Sequence, residues 1–308
     1  MVLTKLVLIA MLLLPSSVAL CQKQDPAQDE ASSRQIVLDR FNKARPAVPP
    51  VKPGARAQTG AALKAAIYRR TGPLHGPRVP IRTSFEEIGV TVWRLRPARS
   101  SDEGARVLVM DGLRQSEWTP ERIEADTPLK IGDRVRLSVE SPRPGFLYII
   151  DREQYADGSL GEPMLIFPTL RTRGGDNRVE PGRLIDIPAQ EDQYSYFTAQ
   201  PTGDRRDQTA EVLTIILVPQ PLPLQIAAQP LKMADNQING WEKLWGGVAE
   251  RLELVGGAGR IWTKEEKAAG AALGRQLTQA GPPPQTVYRV ARKAGGPLLV
   301  TVPLRYER

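Results

Sequence analysis

Residues 135–150 read VRLSVESPRPGFLYII, and two different residue patterns meet in this stretch. Residues 135–140 alternate between apolar and polar side chains, which is the period of a strand with one apolar face. Residues 146–150 form an unbroken run of apolar, β-branched and aromatic side chains, typical of a strand covered on both faces. The turn sequence SPRPG separates the two. The stretch therefore predicts two strands of a β-protein.

The same patterns recur on both sides of this stretch, with turn sequences between them. Further strands are predicted at residues 90–96, 105–110, 164–167, 184–187 and 212–218. Strands at this density without intervening helices favour an antiparallel β-sandwich, immunoglobulin-like or jelly-roll-like, over a parallel sheet. We therefore predict a mainly β fold, with a sandwich domain over 86–226 and a small α/β extension packed on it over 227–308.

The extension is predicted to contain two helices and a strand pair. Asp235 is predicted to cap one helix and Thr263 the other. The first would carry four apolar side chains on one face, with Trp241 and Trp245 as the simplest docking residues: Ile238, Trp241, Leu244 and Trp245. Two strands, 286–291 and 298–304, then lead back to the sandwich, and we expect them to pair with the strand near Val92.

Residues 1–19 have the pattern of a signal peptide. Lys5 precedes the apolar run 6–14, and small residues lead up to a cleavage site at Ala19. The run is too short for a helix that spans a bilayer core of about 30 Å. The sequence therefore predicts an exported protein, periplasmic or secreted.

Cys21 offers an alternative, because bacterial lipoproteins are acylated on a cysteine just behind the signal. Leu20 stands where a small residue usually precedes that cysteine, so simple cleavage at Ala19 is favoured. Membrane association is expected only if Cys21 is acylated.

Residues 20–85 are rich in Pro, Ala, Gln, Arg and Lys, and are predicted to be a flexible N-terminal linker. Such a composition cannot bury enough apolar surface to offset the entropy of ordering. His75 lies in this region and is interpreted as an ordinary loop residue.

The composition excludes several classes of site. With one Cys and one His, the chain cannot build a structural zinc site, an iron–sulfur cluster or an internal disulfide. A Ser–His–Asp triad would need His75, in the predicted linker. The net charge of +8 is spread among interspersed acidic residues, which indicates a solvated Arg-rich surface. We expect no cofactor, no nucleic-acid partner and no catalytic residue.

Asp151, Glu153 and Asp157 are close in the sequence, and clustered carboxylates suit Ca²⁺. Their spacing differs from that of an EF-hand, and Asp157–Gly158 is a common tight-turn pair, which is the interpretation we favour. The same carboxylates are also formally an acid and a nucleophile for glycoside hydrolysis, although nothing selects one pair among the acidic residues.

Residues 171–178 (RTRGGDNR) have the composition of an anion-binding loop, in which guanidinium groups and backbone amides hold the anion. The alternative is a hairpin loop whose glycines permit positive φ. Downstream aromatic residues suit stacking on a glycan or peptide, or alternatively core packing. The candidate binding-surface residues are Arg171, Arg173, Asp176, Asn177, Arg178, Tyr194 and Tyr196.

Residues 129–218 also carry short motifs in a definite order. They are Gly132–Asp133, GFLY at 145–148, LIFP at 165–168, Asp176–Asn177 and Ile187–Pro188. In this order they resemble the bacterial family called domain of unknown function 4384, with Ile166 inserted in its Leu-Phe-Pro element. The resemblance implies an accessory β-domain of exported or multi-modular proteins, sometimes fused to kinase-like or protease-like modules. It transfers no catalytic residue.

The expected function is therefore that of an exported, non-catalytic binding or scaffolding domain of the cell envelope. Its partner would be an unknown envelope protein or polysaccharide, contacted by loops at one end of the sandwich. One alternative is a carboxylate-dependent hydrolase acting on envelope or extracellular polysaccharide. Another is a lipid-anchored envelope component.

Overall fold

The computed structural model describes residues 41–47, 66–71, 85–111, 114–192, 194–201, 205–247, 249–271, 273–291 and 295–307. The predicted signal peptide 1–19, its cleavage site at Ala19, Cys21 and His75 lie outside these residues. Among the helices that are described, none is long and apolar enough to cross a membrane.

The described residues form fifteen strands and two α-helices whose bounds are both described, and residues 41–44 are helical as well. The strands are β1 (Tyr68–Arg70), β2 (Phe85–Pro97), β3 (Val107–Asp111), β4 (Arg114–Ile123), β5 (Arg134–Glu140), β6 (Gly145–Tyr155), β7 (Met164–Phe167), β8 (Arg178–Val179), β9 (Leu184–Ile187), β10 (Phe197–Thr198), β11 (Gln208–Val218), β12 (Leu231–Lys232), β13 (Ala249–Leu254), β14 (Thr286–Ala291) and β15 (Leu298–Arg305). The helices are α1 (Asp235–Trp245) and α2 (Lys264–Gly270).

The strands form two antiparallel sheets. The large sheet has the order β1-β13-β14-β2-β4-β3, and β5 pairs with the other edge of β2 and carries β9 and β10. The small sheet has the order β12-β7-β6-β11-β15, with β8 on the end of β6. The long β2 organises the large sheet, because β14 and β4 pair with successive parts of one edge.

The main core lies between the two sheets and follows from the alternation of side chains. Val135, Leu137 and Val139 of β5 face inward, opposite Leu147 and Ile149 of β6. Complete burial of each such side chain contributes roughly 1.5–3 kcal/mol to folding. The prediction of a mainly β, antiparallel sandwich is confirmed.

β6 and β11 are covered on both faces, as their unbroken apolar runs predict. Their outer faces pack against α1 and the segment that precedes it. Ile238 of α1 is fully buried, and the rings of Trp241 and Trp245 stack with centroids 5.2 Å apart. Leu244, which the sequence places on the same apolar side of the helix, is 65% exposed.

The C-terminal strands are integral members of both sheets. β14 pairs with β2, with Thr286 opposite Val90, and β15 pairs with β11 over eight residue pairs. The predicted return of these strands to the sandwich is confirmed for β14 beside β2. The predicted division into a sandwich over 86–226 and an extension over 227–308 is wrong, because the extension supplies β13, β14 and β15.

Two stretches of the predicted linker 20–85 pack against this body, so that prediction is wrong for them. β1 pairs with β13 at the edge of the large sheet. In residues 41–47, Phe41 and Arg45 are buried, and the Arg45 guanidinium donates to both carboxylate oxygens of Glu140, at 2.6 and 2.7 Å. The sequence of the proline-rich region does not predict this packing, because the partners of these stretches lie far along the chain.

The polar face of β5 is also buried. Arg136, Ser138 and Glu140 are each less than 5% exposed. The Arg136 guanidinium lies over the Trp262 ring, 5.6 Å from its centroid, and donates from Nε and Nη2 to the backbone oxygen of Ser195. The outer face of the large sheet is therefore a second, polar–aromatic layer.

Candidate functional site

A cavity of about 180 Å³ lies between the sheets at one end of the sandwich. The large sheet contributes Val135 and Leu137 of β5 and residues 197–200, which include β10. The small sheet contributes the inward side chains of β6, β7, β11 and β15, and Tyr306 follows β15 directly. We call this cavity the inter-sheet pocket.

Strand register brings acidic side chains to the small-sheet wall of the pocket. Asp151 of β6 is opposite Leu213 of β11, and Glu153 is opposite Glu211. Residues two apart on a strand share a face. Because Leu213 belongs to the main core, all three carboxyl groups lie on the inward face of the sheet. Asp151 and Glu211 line the pocket itself.

Asp151 has one oxygen, Oδ1, that is inaccessible to solvent and has no hydrogen-bond partner among the described residues. Burial raises the pKa of the Asp151 carboxyl well above its usual range, and the neighbouring Glu211 and Glu153 raise it further. An acid in this environment is held partly in its neutral form, because two adjacent carboxyl groups resist carrying two charges.

Glu211 is held by two donors. The Tyr306 hydroxyl lies 2.8 Å from its Oε1, and Gln208 Nε2 donates to the same oxygen at 2.7 Å. Burial raises the pKa of Glu211, although both donors oppose that rise. Burial and the nearby Glu211 also raise the pKa of Tyr306, so its hydroxyl stays protonated and able to donate.

The two walls of the pocket therefore differ in chemistry. The small-sheet wall carries the carboxyl groups of Asp151 and Glu211, whereas the large-sheet wall is formed by Val135, Leu137 and the segment 197–200. Such a site can hold a positively charged group on one side while apolar surface contacts the rest of a bound molecule.

The three carboxylates considered as a calcium alternative, Asp151, Glu153 and Asp157, are not assembled as a unit. Asp157 lies in the turn after β6, where Ser159 donates to it and Arg205 Nη2 lies 3.2 Å from its Oδ2. Gly158 has φ of +82°, as that turn requires. No group of three or more His, Cys, Asp or Glu side chains in the described part of the chain is arranged to hold a metal ion.

The predicted anion loop is largely engaged in internal contacts. Asn177 is buried and donates from Nδ2 to the Leu147 oxygen at 2.9 Å, while Arg178 pairs with Asp176 at 2.9 Å. Arg173 has φ of +52°, and burial and the nearby Arg183 lower its pKa. The hairpin-loop interpretation is correct about the glycines, since Gly174 and Gly175 have positive φ, but wrong about the strands, because β7 and β8 both pair with β6 and not with each other. Arg171, which is exposed, faces the side-chain amide of Gln229.

The two candidate tyrosines do not form a joint stacking surface. Tyr194 is 56% exposed. Tyr196 is half-buried, and together with Trp118 it encloses the Arg134 guanidinium, which lies 4.5 and 4.4 Å from the two ring centroids. Tyr196 therefore packs against the body of the protein, and Tyr194 remains available at the surface.

Sequence reasoning missed Glu211 and Tyr306. Glu211 stands just before the predicted strand 212–218 and Tyr306 just after the predicted strand 298–304, and neither is near Asp151 in the sequence. A signal was present in Glu211, since a charged residue stands at an inward position just before the apolar run of β11.

Residues 128–208 match the family described as Domain of unknown function (DUF4384), which confirms the predicted resemblance of the central block. No curated protein and no solved structure matches the chain. The matched residues include β5 to β10, and thus Asp151 and the large-sheet wall of the pocket; Glu211 and Tyr306 lie beyond them.

Proposed function

We propose that this chain is an exported, non-catalytic binding protein of the bacterial cell envelope and that it binds its partner in the inter-sheet pocket. The observation that carries this proposal is the asymmetry of the pocket, with the carboxyl groups of Asp151 and Glu211 on the small-sheet wall and no titratable side chain among the residues of β5 and the segment 197–200 that line the opposite wall. This assignment replaces the loop residues 171–178 as the expected contact surface, because most of those side chains are engaged internally.

The same asymmetry favours binding over hydrolysis. Glycoside hydrolases place two carboxyl groups on either side of the bond that they cleave. Here Asp151, Glu153 and Glu211 lie on adjacent strands of one sheet, so they approach a bound molecule from the same side. The cavity of about 180 Å³ is also smaller than the roughly 300–1,000 Å³ of small-molecule sites, and fits one end group better than a sugar chain.

The proposal is tested by capture from solubilised envelope on the immobilised mature chain, residues 20–308. The Asp151→Asn variant should lose at least tenfold of the retained partner. Asp157→Asn is a matched control, because it removes the same charge from an exposed turn outside the pocket, and it should retain the partner fully. Equal retention by all three proteins would overturn the assignment of the pocket, as would equal loss in both variants.

A carboxylate-dependent hydrolase is the second candidate, favoured by one observation: the raised pKa of Asp151 beside Glu211, as an acid–base pair requires. Incubation with envelope polysaccharide tests it. Release of reducing ends by the wild type and not by Asp151→Asn would support the hydrolase, and captured polysaccharide that stays intact would support binding.

Export and anchoring depend on residues outside the described part. Mass spectrometry of the mature protein distinguishes the two outcomes. A new N-terminus at Leu20 supports cleavage after Ala19, whereas an acylated Cys21 at the N-terminus supports the lipid-anchored alternative.

A further inference from the structure

The charge balance of the inter-sheet pocket indicates which ligand it takes. Asp151 and Glu211 line it, and no Lys or Arg is among the described residues that line it. A positively charged group from outside the chain would complete this charge balance.

The pocket also contains more hydrogen-bond acceptors than the neighbouring donors of the protein can satisfy. Asp151 Oδ1 is inaccessible and has no partner among the described residues. The backbone oxygen of Gln200 lies 3.3 Å from the Tyr306 hydroxyl, which is a long hydrogen bond. The same hydroxyl lies 2.8 Å from Glu211 Oε1. Since the hydroxyl has one proton, it serves only one of the two acceptors at a time. The Gln200 backbone oxygen is therefore open to a donor from a ligand while the hydroxyl donates to Glu211, and the carboxyl-bearing Asp151 lines the same pocket.

We propose that the inter-sheet pocket binds a primary ammonium group carried on a short alkyl chain. This inference rests on the proposed function, in which the pocket is the binding site. An ammonium group has three N–H donors and no acceptor, which matches Asp151, Glu211 and the Gln200 oxygen. The alkyl chain would contact apolar side chains of both sheets, among them Leu137 and Leu213.

Proton linkage follows from the same geometry. Asp151 faces Glu153 on its own strand, Glu211 on β11 and Tyr306 after β15, while the lining residues of β5 and β10 have no titratable group. Because these acidic neighbours and burial raise the pKa of Asp151, an entering ammonium group displaces a proton from it. Binding should therefore strengthen as the pH rises, until the Asp151 carboxyl is fully ionised in the free protein.

Two sources carry this chemistry: a free alkylamine and a lysine side chain of a partner protein. The experiment titrates the mature chain with n-butylammonium, 1-butanol and a lysine-containing tripeptide whose N-terminus is blocked by an acetyl group, and repeats the tripeptide with its lysine side chain acetylated as well. Backbone amide NMR shifts of the pocket segment 197–200 report binding. We expect saturable shifts with the two ammonium probes, and at least tenfold weaker binding of 1-butanol and of the acetylated tripeptide.

The variants test whether the carboxyl groups carry the effect. Asp151→Asn should weaken n-butylammonium binding at least tenfold, and the exposed control Asp157→Asn should leave it within twofold. If Asp151→Asn does not fold, Glu211→Gln takes its place, and the acetylated tripeptide still tests the charge without any substitution.

The outcomes separate this inference from the proposed function. Equal binding of 1-butanol and n-butylammonium would overturn the ammonium assignment and leave the pocket as a binding site. Failure of both ammonium probes would overturn it too, while Asp151-dependent capture of an envelope partner would still support the proposed function. Binding of the tripeptide alone would support the ammonium assignment and identify a partner's lysine as the source.

Discussion

Replacing Arg45 by methionine should strongly destabilise the protein. The Arg45 guanidinium is buried and donates to both oxygens of Glu140, and also to the backbone oxygens of Gly281 and Pro282, each at 3.1 Å. Methionine preserves much of the apolar stem but removes every donor. Glu140, which is 1% exposed, would then hold a buried carboxylate without its cation.

The expected loss in the free energy of unfolding is about 3–5 kcal/mol, the usual effect of removing one partner from a buried ion pair. Urea denaturation followed by tryptophan fluorescence measures it. Adding Glu140→Gln to Arg45→Met should recover part of the loss, because a neutral amide needs no cation. Arg178→Met is the control, since Arg178 forms an exposed pair, and it should leave the free energy nearly unchanged. If Arg45→Met were no more destabilising than Arg178→Met, the docking of residues 41–47 would be refuted.

Three further perturbations test other parts of the structure. Asp151→Asn should gain stability relative to wild type as the pH rises above about 4, because the pKa of Asp151 is raised in the folded state. The gain in the free energy of unfolding is up to about 1.4 kcal/mol per pH unit until the folded-state pKa is reached. If the free energies of both proteins, measured by urea denaturation, changed equally between pH 4 and 7, this prediction would be contradicted. Gly182→Ala should cost about 1–3 kcal/mol in urea denaturation, since φ is +79° and a Cβ would lie 2.4 Å from the Leu277 oxygen. Gly158→Ala, at φ of +82° but in open space, should cost less, and equal losses would contradict the contact. The isolated fragment 128–208 should show no dispersed NMR spectrum, because it lacks β2 and β15; a folded spectrum would show that the block is autonomous.

The strand pattern of the sandwich was largely predictable because alternation is a local property. The predicted strand 164–167 coincides with β7, and the apolar runs of β6 and β11 are buried on both faces as predicted. β4 was missed, since its sequence RQSEWTPERI is mostly polar and contains Pro120. Its place beside β2 depends on pairing across the sheet, which no local pattern reports.

The burial of charged side chains was the least predictable feature of the fold. The alternation of β5 correctly separates an apolar from a polar face, but it cannot tell whether the polar face meets water. Arg136 is covered by Trp262, more than a hundred residues away in the chain, and Glu140 by Arg45. These contacts depend on where distant segments of the chain pack. The composition of those segments alone indicates a solvated surface or a linker.

The candidate site shows the same limit. Asp151 and Glu153 were recognised as a cluster, but their sequence neighbour Asp157 was grouped with them, and Glu211 was not. Proximity in the chain indicates shared loops, whereas the pocket is assembled by the register between β6 and β11. That register is a long-range property, set by the whole inward face of the sheet.

Strands from the C-terminal part of the chain pair with earlier strands in both sheets, and this constrains when the protein can fold. β2 is complete only when β14 lies on its edge, and β11 only when β15 lies beside it, so nearly the whole polypeptide must be available first. Pairings of such long sequence separation slow folding. A chain emerging N-terminus first would thus leave β2 and the apolar runs of β6 and β11 without their final neighbours until translation reaches about residue 305.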